Sequence, residues 1–499
     1  MSIALLLEMA VSGDPDRLAV VDRATRLTTA EVNRLVSGGA GVIGASRVEH
    51  VAYVGTGGVL LPVLIFSSAR AAIPFTPLNY RLSAEGLHQL IGRLPAPLVV
   101  ADSEYVELVA GAGKRVMTSE EFTAAARAGE PIEEFADPDD VAIVLFTSGT
   151  TSAPKAVELT HNNLTGYVTG TVEFDSADAN DAALVCVPPY HIAGVGAALS
   201  NLYAGRRIVY LRKFNPQEWA QLVRDERVTT ATVVPTMLDR IIAELEASPT
   251  DLPTLRTLAY GGSKVALPLV RKTIALLPHV GLVNAYGLTE TSSTIAVLTP
   301  EDHRTAHAAT DEAVARRLGS VGRPVPGIEI QIRDEDGRVV PPGQTGELFV
   351  RGPQVSGRYT GLGSVLDAEG WFPTRDIAML DDGGYLFIGG RSDDTIIRGG
   401  ENIAPAEVED VLVEHPDVRE VVVVGVDDSQ WGQIIVAVVV PEPGAEPDVE
   451  DLREFVRKTL RGSRTPDRIV FRDHLPTTAT GKVLRREILE TLRTAAGLH

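Results

Sequence analysis

Short apolar runs alternate with amphipathic stretches through the first half of the chain. Val51–Val54, Leu98–Ala101, Ile143–Phe146, Leu184–Val187 and Arg207–Leu211 are brief, continuous and β-branched, and they predict buried strands. Thr29–Gly38, Ala84–Leu90, Pro216–Arg224 and Thr236–Ala247 carry apolar residues at helical spacing and predict helices. Thr28-Thr29 ahead of Ala30-Glu31 is a helix-start signal, because a hydroxyl there can accept from a free backbone N–H. Strands that alternate with helices predict parallel sheets covered on both faces.

The pattern changes near Gly319. From Gly327 to Phe387 the chain is rich in Gly, Pro and Asp, with short alternating runs such as Ile328-Glu329-Ile330-Gln331-Ile332, which predict an antiparallel β-subdomain or small barrel. After the polar segment Gly389–Asp394 a mixed pattern returns: helix Ala404–Glu414, strands Val421–Val426 and Ile434–Val440, and helix Val449–Leu460. The expected fold class is α/β. A large N-terminal domain, residues 1–392, includes a β-subdomain over about 319–392, and a small α+β domain, residues 393–499, follows.

The 499 residues are too many for one ordinary domain, and 44% hydrophobic with 22% charged residues is a globular composition. A formal net charge of −20 repels phosphate backbones and anionic lipid, so nucleic acid is not an expected partner. The single cysteine, Cys186, sits in an apolar run and cannot form an intrachain disulfide. No apolar stretch reaches the roughly 18 residues a spanning helix needs, and the N-terminus lacks the basic start of a signal peptide. A cytoplasmic location is expected.

The strongest local signal is Thr147-Ser148-Gly149-Thr150-Thr151-Ser152-Ala153-Pro154-Lys155. It follows a predicted strand and precedes a predicted helix near His161. Its hydroxyls, its N–H groups and the Lys155 charge can surround a phosphate chain, although the Gly-Lys-Ser/Thr ending of the common phosphate loop is absent. Further along come Tyr286-Gly287-Leu288-Thr289-Glu290, Gly346–Gly352, Gly370-Trp371-Phe372-Pro373-Thr374-Arg375-Asp376, Arg398-Gly399-Gly400-Glu401-Asn402-Ile403 and Pro476-Thr477-Thr478-Ala479-Thr480-Gly481-Lys482. Together with the first loop, and in this order, these resemble the signatures of the AMP-forming adenylating superfamily. That group includes acyl- and aryl-CoA synthetases, peptide-synthetase adenylation domains and luciferases. The resemblance spans essentially the whole chain.

The resemblance implies ATP, Mg²⁺ and coenzyme A as reaction partners of a small-molecule carboxylic acid, in a monomer or homodimer. Thr147, Ser148, Gly149, Thr150, Thr151 and Lys155 would cradle phosphates. Gly261, Gly262, Ala285, Tyr286 and Gly287 would surround the adenine, with Tyr286 stacked on the ring. Asp376 would accept from both ribose hydroxyls, as a carboxylate does well, with Arg391 in support. Thr289 would hold the α-phosphate or the substrate carboxylate, and Glu290 would hold Mg²⁺ through a hard oxygen. Lys482 would bridge carboxylate and α-phosphate, where two anions must meet. His191, in Pro188–Gly194, would border the acyl site beside Val195, Gly196, Leu199 and Gly261. Asp393 would be a hinge that swings the small domain, and Gly399 and Gly400 would line a channel for the thiol arm.

Several positions depart from the family's pattern. Ser152 and Ala156 stand where glycine is usual, and Arg375 replaces the glycine before the ribose carboxylate. Ser463-Arg464-Thr465-Pro466 stands where Tyr-Lys-x-Pro is common. The expected activity is formation of an acyl-adenylate from a hydrophobic acid, then of a CoA thioester. The alternatives are a ligase that loads a separate carrier protein and a weakly active nucleotide-binding homologue. Small, apolar candidate walls, including Ala285, Gly287 and residues near Thr236, favour a fatty, aryl or steroid-type acid.

Overall fold

The computed structural model describes all residues except 113–114, 133–135, 148–153, 400, 429, 461, 479–481 and 496–499. Two large sheets build the N-terminal part. In the first, nine strands run in the order Arg323–Pro324, Ser293–Leu298, Gly281–Leu288, Thr257–Gly261, Thr230–Val233, Ala182–Val185, Arg207–Tyr210, Leu18–Asp22 and Thr25–Thr28. Its centre, from Gly281–Leu288 to Leu18–Asp22, is parallel, and the strands added at both edges are antiparallel. The second sheet has eight strands, with a parallel centre of Val141–Thr147, Phe75–Leu78, His50–Val54, Pro97–Ala101 and Arg115–Thr118. The expectation of parallel sheets therefore holds at both centres. The edges differ because a strand joined by a hairpin needs no crossover helix.

Helix Leu60–Arg70 shows how the two sheets share a core. Every residue in it is buried, as a helix apolar all round must be. Its one charge, Arg70, donates to Ser37 Oγ and Asn33 Oδ1, both at 2.6 Å. Side chains from both sheets and from helices Ala4–Gly13, Thr29–Ala45, Leu60–Arg70 and Ile192–Tyr203 form one apolar cluster.

Helix Thr29–Ala45 starts where the sequence predicts, with a capping box between Thr28 and Glu31, but does not stop at Gly38. A Cβ at Gly38 would lie 1.9 Å from the Ala126 carbonyl oxygen, and one at Gly39 would lie 2.4 Å from Ser67 Oγ. These glycines serve close helix packing, so the helix runs through them. The run predicted at Leu184–Val187 pairs two residues earlier, as Ala182–Val185, because Pro188-Pro189 carries the chain out of the sheet.

The β-subdomain is a four-stranded antiparallel sheet, Glu329–Arg333, Thr345–Arg351, Phe372–Leu380 and Leu386–Arg391. Beyond it, Glu401–Ile403, Ile396–Arg398, Gly432–Pro441 and Val418–Asp428 form an antiparallel ladder, and Arg468–Phe471 joins it in parallel. Strand alternation splits this sheet's apolar residues. Val423, Ile435, Ala437 and Val439 pack with helices Pro405–Leu412 and Val449–Thr459, and Val422, Val424, Val436 and Val438 pack with helix Arg485–Ala495. Ion pairs Lys264–Asp410 (2.5 Å) and Arg271–Glu414 (3.1 Å) connect the small domain to the large one. Among the described residues, no helix is long and apolar enough to cross a membrane.

Candidate active site

Strands Thr257–Gly261 and Gly281–Leu288 lie side by side in parallel, with Gly261 paired to Ala285, and their carboxyl ends deliver the glycine and Tyr286 motifs to one place. Ligands of open α/β sheets bind beyond such ends. The backbone there leaves no room for side chains. A Cβ at Gly261 would sit 2.1 Å from the Ala285 oxygen, and one at Gly287 would sit 1.8 Å from the Ser293 oxygen. Gly262 adopts φ +87°, which glycine takes without strain. After Gly287 the chain closes a 3₁₀ turn, Thr289–Thr291, whose Thr291 hydroxyl donates to the Leu288 and Ser293 carbonyls. Ser292 and Ser293 then take positive φ, +55° and +118°. Non-glycine residues rarely hold such angles, and they cluster where function requires them.

Asp376 is the electrostatic centre of this region. Its strand pairs with Leu386–Arg391, which places Arg391 directly opposite. The carboxylate is only 5% exposed and accepts from Arg391 Nη1 at 3.2 Å and from the Tyr286 hydroxyl. Burial raises its pKa, and Arg391, Tyr286 and the Lys482 charge each pull it back down. The lysine itself is exposed, on a hairpin closed by the Thr477–Val483 bridge and by Lys482 N–H donating to Thr478 Oγ1 at 3.1 Å.

Glu290 stands beside a residue that motif reading missed. Tyr359 donates its hydroxyl to Glu290 Oε1 at 2.9 Å, and the Lys155 ammonium lies 5.6 Å from the Tyr359 ring centroid. Tyr359 pairs with Val157, so its own strand, Arg358–Tyr359, lies beside the strand that leaves the Thr147–Lys155 loop. Thr147 pairs with Lys155 across the same hairpin. Ser148, Gly149, Thr150, Thr151 and Ser152 lie outside the described residues. Arg93 braces the loop's exit by donating to the Pro154 carbonyl at 2.7 Å. No sequence signal marks Arg93. Tyr359 lies on a strand of only two residues, too short to show a period.

His191 caps the N-terminus of helix Ile192–Tyr203, 4.5 Å from the Tyr190 ring. Burial, with help from Arg81, lowers its pKa to about 4, so the imidazole is neutral near pH 7. Its Nε2 is buried without a partner among the described residues. Val195 and Leu199, expected at an acyl pocket, have 0% exposure and belong to the main core. The helix face that stays partly open is Ile192, Ala193, Ala197 and Ser200. Gly196, buried between these faces, admits the Tyr167 ring, whose Cε1 is 3.2 Å from where a Cβ would be.

Other expected positions lie apart. Gly399 is exposed beside Trp431, its N–H donating to the Trp431 carbonyl at 2.8 Å, and Gly400 lies outside the described residues. Asp393 is exposed in the 3₁₀ turn Ser392–Asp394, just after Arg391. Arg375 has φ +66°, and its 60% exposed side chain extends to within 4.0 Å of Glu347, so the unusual cation turns toward solvent and leaves Asp376 to Arg391 and Tyr286. Cys186 is buried and its pKa is pushed up to about 12, which suits a core residue and not a nucleophile.

The profile of the AMP-binding enzyme family matches residues 7–360, and that of its C-terminal domain matches residues 407–482. The chain belongs to the AMP-binding enzyme family. A feruloyl-CoA synthase of an Amycolatopsis species is 36% identical over 484 residues, covering 95% of this chain and 96% of that protein. The crystal structure of ATP-bound MatB from Rhodopseudomonas palustris superposes with a TM-score of 0.89 at 27% identity, over 99% and 100% of the two chains. The o-succinylbenzoate CoA synthetase MenE of Bacillus subtilis, in complex with an acyl-adenylate intermediate, gives 0.84 at 27% identity over 97% of each. As a member of the AMP-binding family, the protein is an adenylate-forming enzyme of the acid–thiol ligase class.

Proposed function

We propose that the protein joins a hydrophobic carboxylic acid to ATP, releasing pyrophosphate and forming an acyl-adenylate, and then transfers the acyl group to the thiol of coenzyme A, releasing AMP. One observation carries this reading. The Asp376 carboxylate is buried in the large domain and accepts from Arg391 and the Tyr286 hydroxyl, and the charge of Lys482, from the small domain, also favours its ionised form.

In the first step a carboxylate oxygen attacks the α-phosphorus and the bond to pyrophosphate breaks. Asp376, held by Arg391 and Tyr286, accepts from the ribose hydroxyls with its remaining lone pairs, which orients the nucleotide. The Lys482 ammonium offsets the charge that builds where the two anions meet. Thr289 donates to the α-phosphate or the substrate carboxylate, and neutral His191 offers its free Nε2 to the acid. The Thr147–Lys155 loop holds the outer phosphates. Glu290 fits a magnesium ion by donor chemistry, since one carboxylate together with nucleotide phosphates is its usual ligand set. No group of three or more His, Cys, Asp or Glu side chains able to hold a metal occurs among the described residues, so the nucleotide would supply the other oxygens. Such an ion would neutralise phosphate charge.

The second step needs the lysine withdrawn and the thiol admitted. Rotation at Asp393 would do both, bringing Gly399 and Gly400 to line the thiol's path. A relative named for feruloyl-CoA synthesis supports an aryl or other hydrophobic acid, as do the small residues Ala193, Gly196 and Ala197. The reading includes a cytoplasmic setting, supported by one buried thiol, and a monomer or homodimer.

The test is pyrophosphate release with a panel of fatty and aryl acids, first without thiol and then with CoA. Release with a hydrophobic acid, followed by an acyl-CoA product, is expected. Release without any CoA product would sink the second step, and silence across the panel would sink the substrate class.

A further inference from the structure

Lys482 has little to hold it directly. It is exposed, and among the described residues its hairpin is closed by the Thr477–Val483 bridge, by backbone bonds and by Lys482 N–H donating to Thr478 Oγ1. Three residues later the chain meets a far stronger anchor. Arg485 begins helix Arg485–Ala495 with its side chain only 24% exposed, and its guanidinium is engaged on three sides. It pairs with Glu409 at 2.7 Å and 3.0 Å, donates to the Val423 carbonyl, and lies 3.5 Å from Asp394 Oδ2. Glu409 is fixed in turn, because its Oε1 accepts from Val423 N–H at 2.7 Å.

The partners make this arrangement informative. Asp394 belongs to the Ser392–Asp394 turn, directly after the expected hinge residue. Glu409 lies on helix Pro405–Leu412, whose neighbouring Asp410 pairs with Lys264 of the large domain. One guanidinium therefore ties together the turn at the domain junction, the docking helix, the edge strand Val418–Asp428 of the small domain and the root of the lysine hairpin. Three residues of chain reach at most about 10 Å, so fixing Arg485 confines the backbone of Lys482 to that radius.

We propose that Arg485 is a positioning residue for adenylation: it locks the Lys482 hairpin in fixed geometry to the Ser392–Asp394 turn and to the docking helix. Domain rotation then carries the lysine as part of a rigid body. This rests on the reading that Lys482 serves the first step and not the second. Lysine cannot replace arginine here, because a single ammonium lacks the planar fork that meets Glu409, Asp394 and a carbonyl together.

The decisive measurement is a distance and needs no substrate. Spin labels on Lys482→Cys and Ile397→Cys, both at exposed positions, report the hairpin against the strand that follows the hinge, and buried Cys186 does not compete for label. A narrow distance distribution is expected with Arg485 present. In Arg485→Lys and in Asp394→Asn it should broaden while the melting temperature stays within a few degrees. A distribution as narrow as the parent's in both variants overturns the proposal.

A second readout uses ferulic acid as probe, with the lysine intact. Arg485→Lys should lose ~10- to 100-fold in acyl-adenylate formation, the penalty for a misplaced group, and should retain the rate of thioester formation from supplied feruloyl-adenylate. Equal loss in both steps means general loosening and overturns it. Lys482→Ala separates the two readings: if that variant still forms adenylate, the parent reading fails, whereas a dead Lys482→Ala beside an unimpaired Arg485→Lys refutes Arg485 alone.

Discussion

The two charged centres of the site are built in opposite ways. Asp376 is set into paired strands, buried, and held by two donors before any ligand arrives. Lys482 is exposed, on a hairpin outside the main sheet of another domain. A binding group profits from being fixed in advance, since no ordering cost falls due when the ligand comes. A group that must act in one step and leave in the next cannot be fixed to the large domain at all. The proposed ribose carboxylate is thus fixed where it stands, and under the proposal for Arg485 the lysine is fixed only relative to its own domain.

The largest expected effect breaks the mobile half of this contrast. Lys482→Ala should slow adenylate formation at least ~100-fold, the usual loss when one charge-stabilising donor is removed. It should leave thioester formation from supplied acyl-adenylate within a few-fold, and parallel decline of both rates would contradict the division of labour. Next, Asp376→Asn should weaken ATP binding about 10-fold, since a charge-assisted bond to the ribose becomes a neutral one. Acid should act on the parent in the same direction. Burial raises the Asp376 pKa, and only the ionised form accepts from two hydroxyls, so affinity should start to fall at a higher pH than for an ordinary aspartate. Calorimetric titration against pH checks this, and the Asn variant should be flat over the same range.

Arg375 gives a smaller, opposite effect. At φ +66° a side chain costs roughly 1 kcal/mol, part of which returns as the greater entropy of an unfolded glycine. Arg375→Gly should therefore stabilise the fold by about 0.5 kcal/mol with unchanged nucleotide affinity. A lost affinity would show that the cation serves the site. The smallest effect concerns docking. Lys264→Ala and Arg271→Ala remove exposed ion pairs worth ~0.2–1 kcal/mol, so adenylation should fall only a few-fold at low salt, and the deficit should vanish in high salt.

Much of this was legible in the chain. The parallel sheet centres follow from β-branched runs such as Val51–Val54, and the helix start at Thr28 follows from its hydroxyl and Glu31. Motif glycines at 261 and 287 marked backbone contacts too close for any side chain. Other features left no mark because they arise between segments distant in sequence. Tyr359 reaches Glu290 only because a two-residue strand docks beside Val157. Val195 and Leu199, expected to line an acyl pocket, lie in the core, because they are as apolar as a pocket wall and spacing alone does not say which side of a helix meets the core. Where Arg375 points is likewise invisible in the sequence, because adjacency to Asp376 says nothing about the left-handed backbone that turns the cation away.

The buried helix Leu60–Arg70 has a consequence for how the molecule comes apart. Because it is packed within the core shared by both large sheets, neither sheet can open without exposing the other, and the N-terminal part should melt as one cooperative unit. The C-terminal sheet keeps its apolar clusters to itself and touches its neighbour through exposed charges. Calorimetry should resolve two transitions, and nucleotide, if both parts hold it as proposed, should draw them together.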